Sequence, residues 1–144
     1  MEHKNCTLRL DVMQQFRNAY RNANAELSST LSSSNLTPTQ YSILEVLYAE
    51  KRLSISDVMN KVGSTKGNMT VVIKNMLDKG WINRCGSSCD KRKSEVWLSD
   101  EGTKLVENYM PIYKDIIDTM FASFNDDELI VLNRLLTKIN NKEG

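Results

Sequence analysis

The stretch from Ser54 to Gly80 constrains the chain most, because start and stop signals for two short helices fall close together in it. Ser54, with Asp57 three residues on, reads as a capping box opening a brief helix through Val58, Met59 and Val62, which Gly63 is placed to end. Ser64 or Thr65 caps the next helix. There Met69, Val72, Ile73, Met76 and Leu77 fall at i, i+3, i+4, i+7 and i+8, a single apolar face, before Gly80 stops the helix. After Gly80 the period changes. Trp81 to Cys85 and Ser94 to Leu98 read as strands, separated by the turn-rich GSSCDKRK, so a hairpin with a basic tip follows the helix pair.

Two short helices joined by a tight turn, then such a hairpin, is the plan of a winged helix-turn-helix, whose second helix enters the DNA major groove. With Met69 to Leu77 as the buried side, a hundred degrees per residue puts Ser64, Gly67, Asn68, Val71, Lys74 and Asn75 outside. Asn pairs bidentately with adenine, Ser and Thr reach bases or phosphates, and an exposed valine lies against a thymine methyl. Thr65, Lys66 and Thr70 join this DNA-facing set. At the hairpin tip Lys91, Arg92 and Lys93 supply phosphate or minor-groove contacts, and Asp90 can hold a neighbouring arginine by a charge-assisted bond. Arg84 and Lys66 extend the same basic surface.

Charge agrees with this division. Residues 51–100 carry five more basic than acidic side chains, whereas both flanks are net acidic, although the whole chain is only +1. Enzyme chemistry has little to stand on: the single histidine is His3, and no glycine-rich phosphate loop is present, so neither a triad nor a histidine metal site can be assembled. At 144 residues, 40% apolar and 26% charged, the chain fits one ordinary globular domain. Its apolar runs are far too short to cross a bilayer and its start has no signal core, so a cytoplasmic protein without membrane contact is expected.

The flanking segments read as helices. Leu8, Val12, Phe16, Tyr20, Ala23 and Leu27 form one stripe, ended by the serine-rich run 28–35. Thr37 as N-cap, Pro38 at the first helical position and Gln40 closing a capping box start a second helix through Tyr41, Leu44, Leu47 and Tyr48, with a short break at Lys51 to Leu53. Ser99 caps a long helix whose stripe runs Leu105, Tyr109, Tyr113, Ile116, Met120 and Phe124, bent near Pro111. Asn125 with Glu128 opens a last helix with Leu129, Leu132, Leu135, Leu136 and Ile139 on one face. The expected fold is therefore mainly α with a small antiparallel wing, a single domain over 1–144, with a winged core at 37–98. A winged core of about sixty residues cannot cover three long apolar stripes, which predicts a homodimer built from 1–35 and 99–144. Its expected interface comprises Leu8, Val12, Phe16, Ile116, Met120, Phe124, Leu132, Leu135 and Leu136.

The sequence resembles the MarR (multiple antibiotic resistance regulator) family of winged-helix transcription factors. LTPTQYSILEVL at 36–47 looks like the family's second helix, and SISDVMNKVGSTKGNMTVVIKNMLDKGWINR at 54–84 like its two reading helices and first wing strand. Asp90-Lys91-Arg92 followed by VWLSDEG at 96–102 resembles the wing motif Asp-x-Arg and the Leu-Thr-x-x-Gly that opens the family's long fifth helix, with Ser99 replacing the usual threonine. The resemblance implies a homodimer with interlocked terminal helices, reading helices in successive major grooves, and Arg92 in the minor groove. It also implies a small-molecule or redox signal that alters DNA affinity. Met13, Phe16, Tyr20, Tyr41 and Met59 are the residues expected to line an effector pocket.

The three cysteines are an odd set without a secretory signal, so reduced thiols are expected. Cys85 and Cys89 flank the wing turn beside Arg84, Lys91 and Arg92, which would favour the thiolate and make them candidate redox residues. The family's peroxide sensors carry a reactive cysteine inside the first helix, facing a tyrosine that Tyr41 resembles; here Cys6 is expected just ahead of that helix instead. A zinc site from Cys85, Cys89, His3 and Cys6 would need the N-terminus to reach the wing, so neither metal nor cofactor is expected. The rival reading is a winged-helix protein-interaction module without DNA binding. Arg92→Ala separates the two, since it should weaken DNA binding and flatten its salt dependence only in a DNA-binding regulator.

Overall fold

The computed structural model of the protein describes residues 2–85 and 94–141, with side chains from Cys6 onward. The elements run α1 (Glu2–Leu31), a 3-10 turn (Ser32–Ser34), α2 (Pro38–Glu50), β1 (Arg52–Ser54), α3 (Ile55–Val62), α4 (Lys66–Asp78), β2 (Ile82–Arg84), β3 (Glu95–Leu98), α5 (Asp100–Met120) and α6 (Asp126–Asn140). This is a mainly α winged helix-turn-helix with a small antiparallel sheet.

The helix starts have the chemistry the sequence announces. Thr37 Oγ1 accepts the Gln40 N–H at 3.2 Å while Gln40 Oε1 accepts the Thr37 N–H at 2.9 Å, a complete capping box with Pro38 at the first position. Asn125 and Glu128 form a second complete box. The one at Ser54 is only half made: Ser54 Oγ accepts the Asp57 N–H at 3.1 Å without a reciprocal bond. Asp57 is a methylene shorter than the Glu or Gln that reaches back, and Ser54 is also the last residue of β1. Gly63 ends α3 in the left-handed region at φ 66°.

Arg52 and Leu53, read from sequence as part of a short break, form a third strand together with Ser54. The sheet order is β1-β3-β2, with Leu53 opposite Val96 and Arg84 also opposite Val96 on the other side. Three residues are too few to show alternation, so only the pairing reveals the strand. Helix α2 crosses the centre of the molecule, and its Tyr41, Ile43, Leu44 and Leu47 are buried with Val58, Met69, Ile73, Met76, Ile82, Val96 and Val106. This core welds the helix-turn-helix to the wing and to the first turns of α5.

The junction between wing and α5 is tightly drawn. Ser99 donates through Oγ to the Gly80 carbonyl (2.5 Å) and through its N–H to the Trp81 carbonyl (3.1 Å), while Oγ caps α5 by accepting the Gly102 N–H (3.1 Å). A Cβ on Gly102 would sit 1.9 Å from that same Trp81 oxygen, so the glycine is set by close backbone approach. Helix α5 continues unbroken through Pro111 and ends at Met120, with Phe121 as C-cap. The expected continuation of its stripe to Phe124 is thus corrected. Two further tight turns, Ala122 N–H to Thr119 O and Phe124 N–H to Phe121 O, lead to the Asn125 cap, and Phe124 packs edge-on against Phe121 instead.

Candidate nucleic-acid interface

Helix α4 owes its placement to its buried side: Met69, Ile73 and Met76 are in the core, with Val72 and Leu77 packed against it. Everything the opposite side offers is then fixed. Thr65, in an extended N-cap conformation, accepts the Asn68 N–H through Oγ1 at 3.4 Å, and Asn68 Nδ2 donates to Ser64 Oγ at 3.0 Å. Thr70 Oγ1 donates to the Lys66 carbonyl at 2.9 Å. These local bonds hold the polar side chains of the first two turns along the helix. Lys66, Gly67, Asn68, Thr70, Lys74 and Asn75 are exposed, Ser64 is half-buried at the turn, and Val71 shows 58% of its surface in the middle of this polar face.

The basic middle third divides into two groups. Arg52 stacks on the Trp97 ring at 4.0 Å and pairs with Glu95 at 3.7 Å; Lys61 pairs with Glu50 at 3.5 Å; Lys79 donates to the Asn35 carbonyl at 3.0 Å over the Trp81 ring. Lys66 and Lys74 have no ion-pair partner among the described residues. Arg84, exposed at the end of β2, uses its Nε–H on Ser94 Oγ at 2.7 Å, one of the five N–H groups of its guanidinium. The free cations thus gather on the α4 and β2 side. Asp90, Lys91, Arg92, Lys93 and Cys89 lie outside the described residues.

A family model described as "MarR family" matches residues 36–94. The HTH-type transcriptional regulator MhqR of Bacillus subtilis is 23% identical over 121 residues, covering 84% of this chain and 83% of that protein. The solved structure of Bordetella bronchiseptica BpsR, whose DNA binding is regulated by 6-hydroxynicotinic acid, superposes with a TM-score of 0.82 at 26% identity, over 91% of this chain and 99% of that one. A mutant MarR from E. coli complexed with operator DNA superposes with a TM-score of 0.79 at 20% identity, over 90% and 93%. The winged core, residues 36–94, matches the MarR family model, and the chain has the fold of the MarR winged-helix regulators. The similarity is to DNA-binding transcriptional regulators and not to enzymes, which favours the regulator over the protein-interaction module.

The other sites expected for a MarR-family protein fall as follows. Leu8, Val12, Phe16, Phe124 and Leu135 are exposed apolar side chains, and Ile116, Met120, Leu132 and Leu136 are half-buried on the same terminal helices. Leu10, Met13, Ile130, Val131 and Ile139 are further exposed apolar residues that join the α1 and α6 surfaces. The expected effector residues are not gathered within one chain. Tyr20 lines a cavity of about 390 Å³ with Asn24, Pro38, Ser42, Thr65 and Asn68, and Tyr41 lines a separate one. Met13 and Phe16 are exposed on α1, while Met59 packs against the core.

The Tyr41 cavity, about 480 Å³, lies between α2 and α5 and is lined by Glu45, Met110, Pro111, Tyr113, Lys114 and Ile117. Of this lining only Tyr41 is expected from sequence as a pocket residue; Pro111 and Tyr113 are expected only as the bend and a stripe position of α5. The Tyr41 and Tyr113 rings meet at 5.0 Å. Burial raises the Tyr41 hydroxyl, with the Glu45 and Tyr113 charges adding to it, and burial raises the Glu45 carboxyl and the Tyr113 hydroxyl as well. Among the described residues no group of histidine, cysteine or acidic side chains is placed to hold a metal, and no helix is long and apolar enough to cross a membrane. Cys6 is a free, exposed thiol that lies inside α1, not ahead of the first helix as expected, whereas Cys85 is disulfide-bonded, a departure from the expected reduced state.

Proposed function

We propose that this protein is a cytoplasmic MarR-family repressor that acts as a homodimer on pseudo-palindromic operators, with DNA affinity set by a small molecule. The observation that carries the DNA-reading part is the outer face of α4. There Asn68, Thr70, Val71, Lys74 and Asn75 stand exposed together, with Ser64, Thr65, Lys66 and Gly67 at the entry, over a fully engaged buried side. Asn68 and Val71 supply base readout; Lys66, Lys74 and Arg84 supply phosphate contacts, joined by Lys91, Arg92 and Lys93 of the wing, with Asp90 steadying the tip.

In this reading residues 37–98 are the DNA-binding core and the segments 1–35 and 99–144 pair the protomers. The apolar surface of α1 and α6, from Leu8, Val12 and Phe16 to Leu132, Leu135 and Leu136, with Ile116, Met120 and Phe124, supports that arrangement. A twofold pair presents identical α4 helices to two half-sites about one helical turn apart. Footprinting on the protein's own upstream DNA tests it: two symmetric protected half-sites spaced about 10 base pairs apart are expected. A single unsymmetrical contact would contradict the dimeric reading.

Effector control is assigned to the cavity between α2 and α5, because it joins the central DNA-binding helix to a dimerisation helix, and BpsR shows a regulator of this fold responding to a small molecule. Redox control is a second reading, favoured by the disulfide at Cys85. Diamide added to the reduced protein, taking two electrons and two protons from a thiol pair, should change DNA affinity in the wild type and not in the Cys85→Ser, Cys89→Ser double variant. An equal diamide effect in that variant would remove the wing cysteines from any redox role.

A further inference from the structure

We propose that the cavity between α2 and α5 is built for a small cationic ligand, an aromatic or alkyl amine, held by Glu45 and the Tyr41 hydroxyl against the tyrosine rings. This deepens the effector-site reading above and rests on it for the location only.

Three observations carry it. The Tyr41 hydroxyl is buried, its residue only 1% exposed, and is the one buried side-chain polar atom among the described residues with no hydrogen-bond partner. A buried hydroxyl without a partner carries a desolvation cost, which a ligand that offers it a hydrogen bond relieves. Glu45 stands one helical turn further along α2, so the two groups share a face and line the same cavity. Its carboxylate has no hydrogen bond or ion pair with any described residue. The sole basic residue lining the cavity, Lys114, is already engaged: its Nζ is 2.5 Å from Asp118 Oδ2, one turn along α5.

The polar groups available to a ligand are therefore the uncompensated Glu45 carboxylate and the hydroxyls of Tyr41 and Tyr113. An ammonium group donates to these oxygens; a carboxylate meets repulsion from Glu45 and finds its natural partner, Lys114, taken. The remaining walls suit an organic cation. Met110, Pro111 and Ile117 are apolar, and the Tyr41 and Tyr113 rings, 5.0 Å apart, offer faces to a cation or to an aromatic body. The volume, about 480 Å³, suits a molecule of one or two rings.

Tyramine and 4-hydroxyphenylacetate share a phenol ring and short chain but carry opposite charge, so they make a matched pair of probes. Binding of each to the full-length protein, without DNA, is measured by isothermal titration calorimetry. Tyramine is expected to bind at least about tenfold more tightly than 4-hydroxyphenylacetate. Glu45→Gln should abolish that preference, and Tyr41→Phe, which removes only the unpartnered oxygen, should weaken tyramine by about tenfold with the fold intact. Equal or tighter binding of the carboxylate, no binding of either probe, or an unchanged preference in Glu45→Gln would overturn the assignment. A separate DNA titration with tyramine present isolates the underlying reading: amine binding that leaves operator affinity unchanged keeps the ligand class and removes the effector role.

Discussion

Gly102 is decided by a distance. Its Cα hydrogen faces the Trp81 carbonyl, and an added methyl would stand 1.9 Å from that oxygen, which also receives the Ser99 N–H. Gly102→Ala should therefore cost more than about 2 kcal/mol in urea unfolding, far beyond the few tenths by which alanine ordinarily favours a helix. Glu45 sets a second residue-scale expectation. Burial raises its folded-state pKa above the ordinary 4.5, so the folded state binds the proton more tightly, and stability from this group is lost as pH rises from 4.5 through the raised value. Glu45→Gln should accordingly raise the thermal midpoint at pH 7, with the gain vanishing below pH 4.5; a gain that persists in acid would show that charge burial is not its cause. Sequence alone places Tyr41 at a pocket but not Glu45, and gives Tyr113 only as a stripe position of α5, because only the packing of α5 across α2 brings them together. The glycine of the wing-to-helix motif is visible in sequence, but its reason, the Trp81 carbonyl, is not.

At the scale of elements, helix starts were the most legible, since each depends on local chemistry. Thr37, Thr65, Ser99 and Asn125 all cap the helices that follow them. What sequence could not supply were β1, whose three residues are defined only by pairing with β3, and the early end of α5 before Phe124. The outward side of α4 followed directly from periodicity, because its buried face is continuous: Gly67, Asn68, Val71, Lys74 and Asn75 are exposed, whereas Ser64, also expected outside, is half-buried at the turn before the helix. Lys74 is exposed and unpaired in that element, so Lys74→Ala should weaken binding to all DNA sequences and lower the slope of log K against log salt by about 1. Asn68→Ala should instead cost about 1–3 kcal/mol on the preferred operator and little on unrelated DNA. Titrations on both DNAs separate the two behaviours, and a uniform loss for Asn68→Ala would remove it from base readout.

For the whole molecule, the polar reading face and the exposed apolar helices point to separate tasks. The buried core lies among α2, α3, α4, the sheet and the start of α5, while Leu8, Val12 and Phe16 on α1 and Ile130, Leu135 and Ile139 on α6 remain exposed in one chain. Val12→Asp with Phe16→Asp should convert a particle of twice the 16.5 kDa chain mass into a monomer in sedimentation velocity, without unfolding the winged core. Operator affinity should fall when dimerisation is lost, since each monomer then holds only one half-site. The most direct test of the account is fluorescence anisotropy of the wild-type protein on its own upstream DNA and on a scrambled duplex, titrated at several salt concentrations. Binding by a dimer is expected, tighter on the native fragment, with the preference retained as salt weakens both. Binding that is equal on the two duplexes and vanishes with salt would contradict sequence-specific reading by α4.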